Sequence, residues 1–137
     1  IYLPRDLVLS SRNLADFLAG STEIVLMGGT AGNEIMEAIR EDAAGDRMTR
    51  GIVLDAAASE IVDHALDWMM EYFSRYLLRE GKTLMKKRFS AGYGDLLLEN
   101  QRIMYELLEM ERIGVELTES CILVPEKSVT AVTGVMS

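Results

Sequence analysis

The longest amphipathic pattern in the chain runs from Asp55 to about Glu80, and it constrains the fold more than any other feature. Ala58, Ile61, Val62, Ala65, Met69, Tyr72, Phe73 and Tyr76 recur at three- and four-residue steps, the spacing of one face of an α-helix. A helix that long cannot cover its own apolar stripe, so another part of the chain must supply a broad surface for it. The C-terminal third is the candidate. "GVELTES", "CILVP" and "SVTAVTGV" are rich in β-branched residues, and Pro125-Glu126-Lys127 makes a natural turn between two of these runs, so the segment reads as antiparallel β structure. Helices first and strands last predict an α+β domain, with helices packed on an antiparallel β-sheet, rather than a regular βαβ repeat.

The remaining elements are shorter. "SSRNLADFLAGS" predicts a helix with Ser10 or Ser11 at its start, Leu14, Phe17 and Leu18 on one face and Gly20 as its stop. "EIVLM" predicts a buried strand that runs into a turn at "GGTAG", and "NEIMEAIRED" a second helix with Ile35, Met36 and Ile39 to one side. Gly51 to Asp55 reads either as a strand or as the first part of the long helix, which Gly81 ends. "LENQRIMYELLEMERIG" predicts one further helix, with Ile103, Met104, Leu107 and Leu108 facing inward.

With 137 residues the chain fits one domain, residues 1–137. It opens at Ile1 rather than Met, which points to missing material upstream. A formal charge of −8 argues against nucleic acid or an anionic membrane as the main partner. No apolar run approaches the roughly 20 residues needed to span a bilayer. The single cysteine, Cys121, excludes an internal disulfide and suits a reducing, cytoplasmic setting.

Most candidate chemistry is thin. The lone His64 has no second histidine with which to hold a metal, and Cys121 has no base beside it, so both are expected to be dispensable. Ser-His-Asp material is missing, and no carboxylates pair at telling positions, so a self-contained catalyst is not expected. The strand, glycine turn and helix around Gly28 to Gly32 have the layout of a nucleotide- or anion-binding loop, yet the order GGxxG is neither a dinucleotide fingerprint nor a P-loop. A tight strand-to-helix turn explains the stretch better than a nucleotide site.

The stretch with most to offer is "KKRFSAGYGDLLLENQ", Lys86 to Gln101. In one reading Lys86 and Lys87 solubilise a helix end while Gly92 and Gly94 allow tight turns. In the other, Arg88 is a rigid fork for a carboxylate and Tyr93, between two glycines, is a ring against which a flat ligand can rest.

The order of residues in and after this stretch is similar to a known family. "RFSAGYGD", then "NQRIMYELLEMERIGVELTES", then "ILVPEKSVTAV" resembles the C-terminal activation domain of cobalamin (vitamin B12)-dependent methionine synthase, and more its short, free-standing relatives than the fused domain. Arg88 with Gly92-Tyr93, Glu106 to Leu108, Ile113 to Ser120 and Pro125 to Val129 carry the likeness, and "DAAASEIVDHALDWMMEYF" resembles the helix before them. The family's "GYPACP" is here "GYGDLL".

The resemblance implies an S-adenosylmethionine-binding reactivation module that supports reductive remethylation of cob(II)alamin. Cobalamin would then be present only through a partner protein or domain of methionine synthase, with a flavodoxin-like electron donor. It implies a component of a methyltransferase activity rather than a catalyst in its own right. Carried over residue by residue, the ligand-binding set is Arg88, Gly92, Tyr93 and, on the long helix, Glu71. The alternatives are a small nucleotide- or anion-binding domain using the Gly28 to Gly32 turn, or a relative that keeps the fold without the ligand.

Overall fold

The computed structural model describes residues 7–137. Its centre is a three-stranded antiparallel sheet in which β5 (Ser128–Met136) lies between β1 (Glu23–Thr30) and β2 (Thr83–Leu84). β1 and β5 pair along their whole shared length, from Glu23 opposite Val135 to Thr30 opposite Ser128. β2 pairs with the far end of β5, and Phe89 adds an isolated bridge to Val132 further along the same edge. The C-terminal third thus contributes the central strand, while both edge strands come from earlier in the chain. The other expected strands, β3 (Glu116–Leu117) and β4 (Leu123–Val124), form a separate two-stranded hairpin.

Helices cover both faces of the sheet. On one face lies α3 (Met48–Leu78), whose Leu66, Met70 and Leu77 pack with Met27, Leu84, Ala131 and Val135. On the other, α1 (Arg12–Phe17) and α4 (Gln101–Leu108) enclose Leu14, Leu18, Leu96 and Met104 around Val132. The alternation of strand side chains sorts these residues. Met27 and its partner Ala131 face α3, while the next pair, Leu26 and Val132, faces α1 and α4. α2 (Asn33–Ala44) packs beside α3 rather than on the sheet. Buried Asp42 of α2 holds that pair through Arg47 Nε at 2.9 Å and Arg50 Nη1 at 3.3 Å.

Several expectations need correction. Gly51 to Asp55 form the first part of the long helix, the second of the two readings, and α3 begins earlier still, at Met48. Its buried residues are Gly51, Ala58, Val62, Leu66, Met70 and Leu77, so the core face is rotated from the predicted one and Ile61, Tyr72 and Tyr76 are exposed. The helix ends at Leu78 and Gly81 follows in the left-handed region (φ 74°). The Gly28-Gly29 pair is not a turn. Both residues lie within β1 opposite Thr130 and Val129, and a Cβ on Gly28 would run into the sulfur of Met110. The chain turns only at Ala31-Gly32, ahead of α2. The single helix expected after Leu98 is broken at Glu109, which adopts left-handed angles (φ 50°, ψ 48°) and separates α4 from a 3₁₀ turn at Met110–Ile113. The break lets Met110 reach Val115 and Leu123 in a third small core.

Candidate functional site

Past β2 the chain continues along the edge of β5. Met85 N–H donates to Gly134 O at 2.9 Å, and Phe89 and Val132 exchange two backbone bonds of 2.8 Å. This pairing fixes the two neighbouring side chains on opposite faces. Phe89 goes to the α1 side, where its ring lies 5.7 Å from that of Phe17. Arg88 goes to the α3 side and donates through Nη1 to Asp67 and through Nη2 to Asp63 at 3.4 Å. Two acids one helical turn apart therefore orient the fork from two directions and leave its Nε–H outside those bonds. With 22% of its side chain exposed, Arg88 is anchored but open to the surface.

The loop after Phe89 is shaped by its glycines and by Asp95. Gly92 (φ 90°) and Gly94 (φ 56°) take backbone angles that side chains disfavour. Gly92 N–H donates to Leu96 O at 2.8 Å, which closes the loop on itself. Asp95 then ties it to α1, accepting from Ser11 Oγ and from the backbone N–H groups of Arg12 (2.8 Å) and Asn13 (3.1 Å). The Ser11 hydroxyl foremost, then these two amides, hold the Asp95 carboxyl below its ordinary range. Tyr93, at the outer end of the loop, is 69% exposed.

Arg88 and Tyr93 line one cleft of about 610 Å³, together with Asp63, Ser90, Gln101 and Thr130 among others. That volume lies within the usual range for small-molecule sites, roughly 300–1,000 Å³. Two of its lining hydroxyls are hydrogen-bonded. Thr130 Oγ1 donates to Gln101 Oε1 at 2.8 Å, and Ser128 Oγ donates to Pro125 O at 2.6 Å. Lys127 fastens the turn before β5 to α3, with Nζ 3.1 Å from Asp55 and 2.9 Å from Ser59 Oγ.

The structure brings Arg88 and Tyr93 together, with Gly92 beside Tyr93 in the loop. It does not bring Glu71 to them. That residue pairs with Arg75 and lies in a separate shallow depression with Trp68 and Tyr72. The acid in the cleft is Asp63, two turns earlier on α3. Asp63 and Asp67 stand at an i, i+4 spacing beside the buried Val62, Leu66 and Met70, a signal the sequence contained and the shifted apolar register concealed. Gln101 and Thr130 left no local signal, because only tertiary pairing joins them. Among the described residues no group of three or more histidine, cysteine or acidic side chains is placed to hold a metal ion. Nor is any helix among them long and apolar enough to cross a membrane.

No family model and no curated protein matches the chain. Among solved structures, a crystal structure of the MetH reactivation domain bound to AdoHcy matches with a TM-score of 0.66 and 21% sequence identity. The match covers 81% of this chain but only 38% of that one. The mixed helices and antiparallel sheet correspond between the two, and the fold of this chain is the activation-domain fold of MetH.

Proposed function

We propose that the cleft binds S-adenosylmethionine and that the chain serves as an activation-type module for a cobalamin-dependent methionine synthase. One observation supports this above others. Arg88 and Tyr93, far apart in chemistry and joined here by a glycine loop, line a single cleft of ligand size in a fold shared with a domain whose structure holds AdoHcy. The residues present suit such a ligand. The Nε–H of Arg88, outside its bonds to Asp63 and Asp67, offers a charge-assisted donor for an amino-acid carboxylate, and the carboxylate of Asp63 favours an ammonium or sulfonium charge nearby. Arg88, Asp63 and Asp67 together carry a net negative charge, so a ligand with both signs fits better than a simple anion. Tyr93 supplies an open ring for a flat group.

S-adenosylmethionine, when bound, would supply a methyl group. The protein's own part is to hold and orient the ligand in a charge-matched cleft, with the cobalt chemistry left to a cobalamin-carrying partner and the electron to a flavodoxin-like donor. Glu71, outside the cleft, is not needed for this reading.

Calorimetric titration with S-adenosylmethionine and S-adenosylhomocysteine tests it. Arg88→Ala should weaken binding by roughly ten- to a hundredfold, the value of a charge-assisted contact. Lys86→Ala should change little, because Lys86 is exposed and a flexible ammonium contributes less. No binding by the unaltered chain, or equal small effects from the two substitutions, would return the loop to a solubilising turn.

A further inference from the structure

α3 carries a second apolar surface that the core does not use. Ile61, Trp68, Tyr72 and Tyr76 are 56%, 66%, 56% and 52% exposed, and with Ala65, also exposed, they repeat at steps of four and three residues. At 100° per residue they form one stripe over about four turns. Trp68 and Tyr72 are already stacked, with ring centroids 5.9 Å apart. One border of the stripe is charged in a fixed order: Glu60, His64, Glu71, Arg75. Among the described residues these form only the i, i+4 pairs Glu60 with His64 and Glu71 with Arg75.

We propose that this stripe is a self-association surface on which a second copy of the chain docks its own α3 antiparallel. The charge order carries the argument. In an antiparallel helix pair the same border of both helices meets in reverse order. Setting Ile61 against Tyr76 of the copy, and Ala65 against its Tyr72, places Glu60 opposite Arg75 and His64 opposite Glu71. By two-fold symmetry each pairing occurs twice, and Asp67, the acid of this border nearest the dyad, is turned toward the cleft by its pairing with Arg88. A parallel pairing would set Glu60 against Glu60 and Arg75 against Arg75. The surface is also independent of the cleft, since Asp63 lies nearly half a turn around α3 from Ile61, Trp68 and Tyr72.

The area bounds the affinity. Aromatic side chains bury about 150–250 Å² each when fully covered, and roughly half of each ring here is still open. The contact therefore belongs to the small class, below about 1,200 Å² in total, and the dimer should be weak, with a dissociation constant in roughly the micromolar range.

Sedimentation equilibrium of the full chain, up to about 200 µM, should show a reversible dimer. Trp68→Glu should weaken it by more than roughly tenfold by burying a charge, and Tyr76→Lys should act similarly as a second variant. Both sites are exposed, so circular dichroism should show the fold unchanged. Glu60→Arg and Arg75→Glu alone should each weaken association by roughly three- to tenfold, as two symmetry-related pairs become repulsive, and the double variant should regain most of the loss. Repair within one helix cannot explain that rescue, because the double change leaves a cation one turn from His64 and a second carboxylate one turn from Glu71. A monomer throughout, a dimer indifferent to Trp68→Glu, or a dimer that the double change does not restore would each overturn the antiparallel pairing.

Discussion

Asp95 is exposed, yet three donors at the start of α1 converge on its carboxylate. It thereby caps a six-residue helix from more than eighty positions away and closes the loop that presents Tyr93. The folded-state pKa lies below the unfolded value of about 3.9. Its contribution is therefore fully present above that value and is lost as pH falls through the folded pKa. Asp95→Asn should lower the melting temperature at neutral pH, and the gap from the unaltered chain should close as the pH is taken below about 4. Thermal melts across that range check it, and a gap that stays constant would separate the carboxylate charge from the stability of the loop. In the sequence Asp95 stands out only as a departure from the "GYPACP" pattern. Its partner is a helix N-terminus, and such a pairing leaves no mark at either end of the chain.

At the scale of elements, what the sequence revealed depended on how far each signal was local. Helix α1 was legible from its cap and apolar spacing, and α2 from its spacing alone; Ser11 does accept from Leu14 N–H at 2.8 Å. α3 was legible as a helix but not in its rotation. Nearly every turn carries apolar residues on two faces, and periodicity alone cannot say which of them meets the sheet. The consequence is measurable. Leu66 is fully buried against Met27 and Ala131, so Leu66→Ala should cost about 2–5 kcal/mol in urea unfolding. Ile61→Ala, on the exposed stripe, should stay within about 0.5 kcal/mol in dilute solution. The reverse ranking would restore the predicted face. β1 was misread for the opposite reason. Gly28-Gly29 is a strong local turn signal, but Gly28 sits in the strand because the Met110 side chain occupies the space a Cβ would need. Likewise Glu109, a good helix former, gives up the helix to place Met110 in its own core.

At the scale of the whole molecule, the cleft joins segments that no short sequence window contains: α3 at Asp63, the loop at Arg88 to Tyr93, the start of α4 at Gln101, and β5 at Thr130. The motif around Arg88 was readable from the chain, whereas the wall opposite it needed the fold. Because the sheet edge positions Arg88, and α3 orients it, a ligand held there bridges both helical layers and should stabilise the folded state as a unit. At a ligand concentration near one hundred times the dissociation constant that stabilisation is about 2.7 kcal/mol, which for a chain of this size corresponds to a rise in melting temperature of roughly 5–15 °C. S-adenosylmethionine or S-adenosylhomocysteine should produce such a rise, and Arg88→Ala should remove most of it at the same ligand concentration. Trp68→Glu should keep the full rise, because the stripe and the cleft lie on different sides of α3. Differential scanning calorimetry with and without ligand measures all three. A rise that survives Arg88→Ala would put the ligand elsewhere on the molecule, and one lost with Trp68→Glu would mean that the cleft is complete only when two copies associate.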